Sequence, residues 1–155
     1  MGFQLDALDY KILKMLSENA RRPYLEIARE CGVSGAAIHQ RVQKLYAMDV
    51  LKGAITVINP SSLGYETCAY VGLLLREPSK SDMIMQAIRK VPEVVECHYT
   101  TGQYDMFLKI YAKNNEDLLR IIQSNLSNLA DTRSETLICF KEVFKRQIPV
   151  NENNK

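Results

Sequence analysis

The apolar residues of this chain change period near Gly53. Up to Tyr46 they recur every three or four positions, as in Leu5, Leu8, Ile12, Leu13 and Leu16 and again in Ile38, Val42 and Leu45. That is the spacing of a helix that buries one face. Beyond Gly53, runs rich in β-branched and aromatic residues alternate with two further helical patterns. A helical N-terminal part and a mixed remainder define an α+β protein.

Three helices are expected in the first part. Asp6 and Asp9 stand in the opening turn of the first helix, where negative charge suits the dipole, and Asn19 to Pro23 end it. A short second helix spans about Tyr24 to Cys31 and stops at Gly32, a residue suited to a left-handed cap. Ser34 is a good N-cap for a third helix through Tyr46. Two helices joined by a glycine-containing turn form the helix-turn-helix plan, here of winged type, and the small Ala28 allows their close approach. With Ile38, Val42 and Leu45 inward, Ala36, His39, Gln40, Gln43 and Lys44 turn wholly or partly outward. Together with Ser34 and Arg41 they are the candidate contacts to a major groove: Gln can read adenine, Lys and Arg guanine or phosphate, and Ala a thymine methyl. Arg21 and Arg22 suit phosphate contacts. Residues 21–53 hold six basic and three acidic residues, against ten and eleven over 54–145, so the basic excess lies in this part of the chain. The competing reading is a three-helix interaction module with a solvated polar face.

The remainder reads as a connector strand at Ile55 to Ile58, broken by Asn59-Pro60-Ser61-Ser62, followed by β-α-β-β-α-β. Strands are expected at about Thr67 to Arg76, Val94 to Thr101, Met106 to Ala112 and Thr136 to Val143. One helix follows Glu77-Pro78-Ser79, with Ser79 and Asp82 spaced as a capping pair. Another opens at Asn114-Asn115, with Leu119, Ile122, Leu126 and Leu129 as its apolar stripe. Gly102-Gln103-Tyr104-Asp105 is a hairpin signal. This order is the ferredoxin-like plan, with both helices on one face of a four-stranded sheet. Residues such as Cys68, Tyr70 and Leu74, or their neighbours, leave the other face partly apolar, so another subunit is expected to cover it. The domain boundaries are 1–53 for the helical domain, 54–64 for the linker strand and turn, 65–146 for the βαββαβ domain and 147–155 for a polar tail.

Several classes are excluded. Cys31, Cys68, Cys97 and Cys139 are too scattered for a zinc site, with only His39 and His98 to help, and read as reduced apolar side chains or, less simply, as redox sensors. No metal or cofactor is expected. Asp105 or His98 could be proposed as an acid or base, but no nucleophile-base pair, phosphate loop or ligand cluster accompanies them, so the chain is not read as an enzyme. The apolar stretches are broken within about ten residues, where a membrane span needs roughly 20. Met1 to Asp9 lacks an export signal, which leaves a cytoplasmic location.

The whole pattern resembles the Lrp/AsnC, or feast/famine, transcription regulators. The resemblance rests on Leu-Asp-x-x-Asp-x-x-Ile-Leu from Leu5 to Leu13, Asn19-Ala20-Arg21, Ile27-Ala28, Gly32-Val33-Ser34, Ile38, Arg41-Val42 and Leu45. It continues through Asn59-Pro60, Leu63-Gly64-Tyr65, Gly102-x-Tyr104-Asp105 and Glu142-Val143. It implies a C-terminal domain of the RAM type that dimerises and senses an amino acid, with dimers gathering into tetramers or octamers. Two-fold symmetry would set two recognition helices about 34 Å apart on double-stranded DNA, at pseudo-palindromic sites. The implied effector site lies between dimers and uses Thr101, Gly102, Tyr104, Asp105, Ser134 and Thr136. Gly102 would admit an α-carboxylate to backbone N–H groups, Asp105 would meet the α-ammonium, Tyr104 would wall the pocket, and Ser134 and Thr136 would offer hydroxyls. The same residues have a plainer use as turn, loop-cap and surface positions. Asp49 stands where the family usually has glycine, Gly35-Ala36-Ala37 replaces larger polar residues, and Gln103 replaces an acidic one. A metal- or redox-responsive regulator, tested through Cys97 and Cys139, or one independent of any effector, is the alternative, and a stand-alone amino-acid-binding module is another.

Overall fold

The computed structural model describes residues 4–127, 129 and 132–151. The chain divides into two compact units, one of residues up to Val57 together with those from Phe144 onward, the other Ile58–Val143. The segment beyond Phe144 therefore groups with the helical unit, rather than being divided between the sheet domain and a separate tail.

The helical unit holds α1 (Ala7–Glu18), α2 (Tyr24–Cys31) and α3 (Gly35–Ala47). The opening acids of α1 do more than complement its dipole. Asp6 is the N-cap and its carboxylate accepts the Asp9 N–H at 2.9 Å, while the Asp9 carboxylate accepts the Asp6 N–H at 3.1 Å. The reciprocal bonds satisfy two N–H groups that a helix start would leave bare. Gly32 caps α2 at φ +67°, and the Ser34 hydroxyl accepts the Ala37 N–H at the start of α3. Ile12, Ile27, Ala28, Ile38, Val42 and Leu45 form the core, with Leu5, Leu8, Leu13 and Leu16 packed around it.

Asp49, after α3, is left-handed at φ +57°. This is the position where glycine was the expected residue. Its ion pair to Lys52 at 3.7 Å is about four-fifths exposed on both sides and contributes almost nothing. Asp49→Gly is expected to stabilise the unit by about 0.5 kcal/mol through relief of the left-handed strain, read as a higher urea midpoint at unchanged slope.

The expected connector strand is not formed. Residues 51–59 are in no strand, and Ile55, Val57 and Ile58 are 89%, 91% and 60% exposed. The β-branched run has the propensity for a strand but no neighbouring backbone with which to make a ladder. No strand follows α3 within the helical unit among the described residues.

The second unit runs β1 (Thr67–Leu75), α4 (Ser81–Ile88), β2 (Val94–Tyr99), β3 (Met106–Ala112), α5 (Asn115–Ile121) and β4 (Thr132–Cys139). The strands form one antiparallel sheet in the order β2-β3-β1-β4. Ala69, Val71 and Leu73 of β1 and Met106, Leu108, Ile110 and Ala112 of β3 are buried against Ile84 and Ile88 of α4, Leu118 and Ile121 of α5, and Leu126. The alternation of side chains along each strand fixes this face, and a slip by one residue would turn it outward.

Three local expectations are corrected. The last strand is Thr132–Cys139, not Thr136 to Val143, because β1 sets the register: Leu75 lies opposite Thr132 and Cys68 opposite Cys139, so Phe140 to Val143 run past the start of β1 with nothing to pair. The stripe of α5 starts one residue earlier, with Leu118 4% exposed and Leu119 55%. A π-helical turn at Ile122–Leu126 then adds a residue per turn and brings Leu126 inward. Ser79 does not cap α4; it sits inside a 3₁₀ turn at Pro78–Lys80, and Lys80 stands at the N-cap without a side-chain bond to the helix.

Candidate DNA-binding and effector sites

Helix α3 separates its residues into two sets. Ile38, Val42 and Leu45 are fully buried, whereas Ala36, His39, Gln40, Gln43 and Lys44 are exposed. The first turn, Gly35-Ala36-Ala37, is small enough to let a partner approach the helix start closely. The rings of His39 and Tyr24 of α2 meet edge to face, with centroids 6.2 Å apart. Ser34 is exposed and occupied with its cap.

Two candidate residues are placed elsewhere. Arg41 points to the start of α1, where Nη1 reaches Oδ1 of Asp9 at 3.0 Å and also pairs with Asp6. Asp9 is 1% exposed, so its carboxylate needs that partner. The hydrogen bond from Arg41, followed by the Asp9 backbone bond, holds the Asp6 carboxyl below its usual range. Arg41 thus serves as a structural tie between α3 and the start of α1. Sequence reading missed this because spacing places Arg41 at the margin of the buried stripe, and only tertiary packing brings α1 beneath it. Arg22 likewise pairs with Glu26 and Glu30 on α2, while Arg21 remains exposed.

In the sheet unit, the loop between β2 and β3 carries the second set. Thr101 and Gly102 are exposed at its tip, with Gly102 at φ +107°, a conformation that requires glycine. Asp105 fastens the loop: its N–H donates to the Leu73 carbonyl at 2.9 Å, its Oδ2 accepts the Leu75 N–H at 2.8 Å, and its carbonyl accepts the Thr100 N–H at 3.0 Å. Tyr104 folds onto the uncovered sheet face. Its ring lies over Gly72, its hydroxyl donates to Glu135, and Glu135 holds the phenol above its usual range. A hollow of 330 Å³ opens between the loop and the first residues of β4, lined by Leu74, Gln103, Arg133, Ser134 and Glu135. Ser134 therefore reaches the hollow, whereas Thr101, Gly102, Asp105 and the exposed Thr136 do not line it. Arg133 and Glu135 are the lining residues that the sequence did not single out, and Gln103 is the position where the chain departs from the family.

The uncovered face is a row of aromatic rings around one cation. Tyr104, Phe107 and Tyr70 follow one another at centroid distances of 6.1 and 5.8 Å. Lys109, 5% exposed, lies 5.8 Å from the Tyr70 ring and 5.5 Å from that of Tyr111, with Glu142 at 3.3 Å and Glu96 at 3.8 Å. Burial would lower its pKa, but Tyr111, Glu142 and Tyr70 outweigh that and keep it protonated. Among the described residues no group of three or more His, Cys, Asp or Glu could hold a metal, and no helix is long and apolar enough to cross a membrane.

A helix-turn-helix with an exposed polar face on its second helix, followed by a ferredoxin-like sheet domain, defines a DNA-binding transcription regulator. Two family descriptions match the chain: the AsnC-type helix-turn-helix domain over residues 5–46 and the Lrp/AsnC ligand binding domain over residues 68–149. The chain belongs to the Lrp/AsnC family of transcriptional regulators, which are not enzymes. It is 34% identical over 145 residues to the regulatory protein AsnC of Haemophilus influenzae, covering 93% of this chain and 97% of that one. The solved structure of E. coli AsnC superposes with a TM-score of 0.88 at 31% identity, over 94% of this chain and 99% of that one. A feast or famine regulatory protein from M. tuberculosis, solved with L-methionine, shares the fold with a TM-score of 0.89 at 23% identity, over 96% of this chain and all of that one.

Proposed function

We propose that the chain regulates transcription in the cytoplasm as a symmetric assembly on pseudo-palindromic double-stranded DNA, and that an amino acid modulates it through the sheet domain. The observation that carries the DNA reading is the division of α3, which exposes His39, Gln40, Gln43 and Lys44 while their neighbours are buried. Gln40 and Gln43 offer the paired donor and acceptor that adenine accepts, and Lys44 a charge for phosphate. Fluorescence anisotropy on DNA from upstream of the chain's own gene, across a salt series, tests this. Lys44→Ala is expected to weaken binding about fivefold on every sequence and to flatten the logarithmic salt dependence by about one unit, while Gln40→Ala weakens the specific site by about tenfold and leaves non-specific DNA unaffected. Unchanged binding in both variants would place the DNA contacts away from α3, and no binding by the natural chain would favour the interaction-module reading.

Support for an amino-acid effector comes from the ligand-binding domain match and from the L-methionine complex of the M. tuberculosis regulator. The hollow beside the loop has the matching chemistry: Arg133 for an α-carboxylate, Glu135 for an α-ammonium, Ser134 and Gln103 for hydrogen bonds, and Leu74 for an apolar side chain. Gly102 and Asp105 serve this reading by fixing the shape of the loop. Assembly through a second copy over the aromatic face is supported by its half-exposed residues Cys68, Tyr70, Leu74 and Leu137.

A further inference from the structure

The four cysteines are not equivalent in space. Cys97 is exposed on edge strand β2 and Cys31 belongs to the helical unit, but Cys68 and Cys139 lie directly opposite each other on β1 and β4, on the same face. Residues opposed in an antiparallel pair have Cα atoms roughly 4.5–5.5 Å apart, inside the window of about 4.4–6.8 Å that a disulfide spans. The two thiols interact with each other and with Tyr111, which lies opposite Cys68 on its other side. Facing positions on adjacent strands thus bring the two side chains within the reach of a bridge.

We propose that Cys68 and Cys139 are a modification site: a dithiol that a hydroperoxide oxidises to an intrachain disulfide. One thiolate attacks the peroxide oxygen, breaking the O–O bond to give a sulfenic acid and releasing water or an alcohol. The second sulfur then attacks that sulfenic sulfur, forming the S–S bond and expelling hydroxide, which leaves as water with the remaining thiol proton. Two thiols lose two hydrogens and the peroxide is reduced by two electrons; an external dithiol reverses the reaction. A soft-metal site is the competing use of two thiols. Burial raises the Cys68 pKa above the usual thiol range and the nearby Lys109 ammonium offsets this only in part; the same ammonium disfavours a second cation at the site. The bridge would tie the last residue of β4 to β1 at the point where the chain leaves the sheet. Where a second copy covers this face, the thiols react as subunits exchange.

The full chain, reduced and freed of reductant, is treated with hydrogen peroxide to completion, blocked with an alkylating agent, digested and mapped by mass spectrometry. The expected product migrates as a monomer without reductant, contains a Cys68–Cys139 peptide pair lighter by two hydrogen atoms than the two peptides together, and returns to the dithiol with dithiothreitol. The double variant Cys31→Ser, Cys97→Ser is expected to form the same link, and Cys139→Ser none. Alkylated Cys68 and Cys139 after exhaustive treatment, sulfinic acids at both, or bridges only between chains would overturn the proposal. The map of the natural chain decides this even if a variant fails to fold.

Discussion

Arg41→Ala is expected to destabilise the helical unit by about 2–3 kcal/mol, the cost of leaving a buried carboxylate without its cation, reduced from the full figure for buried pairs because Arg41 is itself about a third exposed. Asp9 would keep the Asp6 N–H and nothing else among the bonds described for its side chain. The loss has a pH signature. Asp6 has a lowered pKa in the folded chain, so its share of the stability is present above the ordinary carboxylate range and is lost as pH falls through the lowered value. Denaturant unfolding from neutral to acid pH should show the natural chain losing that increment and the variant losing only the part that the Asp9 N–H supplies. DNA binding separates this role from a phosphate contact. At a temperature where the variant is folded, its salt dependence should match that of the natural chain; a slope flatter by about one unit would place Arg41 on the DNA instead.

Gly72→Ala is expected to cost the sheet unit about 1–3 kcal/mol by overpacking. A Cβ at this position would meet Cγ and Cδ1 of Tyr104 at 2.5 Å, the near end of the ring, so a small swing of the side chain gives no relief. The backbone of Tyr104 is also held, since its carbonyl accepts the Thr100 hydroxyl at 2.6 Å and the next residue is bonded to Leu73 and Leu75. The ring must change rotamer and leave Glu135 and Phe107. A double-mutant cycle by thermal unfolding checks the cause: in a Tyr104→Ala background the Gly72→Ala cost should fall by at least half. An undiminished cost would assign the effect to the strand backbone.

Where one local rule dominates, the fold is legible from the chain itself. Gly32 and Ser34 mark the turn because each satisfies a helix end, and Ile38, Val42 and Leu45 mark the inner face of α3 because helical spacing leaves no other choice. Tertiary partners decide the remainder. The β-branched run at Ile55 to Ile58 reads as a strand, but a strand is defined by a neighbour. Phe140 to Val143 is more apolar than Arg133 to Glu135, yet pairing with β1 selects the polar residues. Lys109 interrupts an apolar run, and only the sheet shows that it is buried among rings and carboxylates rather than solvated. At the candidate effector site, the turn chemistry of Gly102 and Asp105 was readable, whereas the folding of Tyr104 onto Gly72 depends on two strands meeting about thirty residues apart in sequence.

The division of α3 has a consequence for how such a regulator changes over generations. Its orientation is secured from below by Ile38, Val42 and Leu45 and by the tie from Arg41 to the start of α1. Gln40 and Gln43 lie on the exposed side, so exchanging them alters the chemistry presented outward at little energetic penalty. Gene duplicates could therefore diverge in operator preference by substitutions at Gln40 and Gln43, each intermediate still folding, and a chain's target set can drift faster than its architecture.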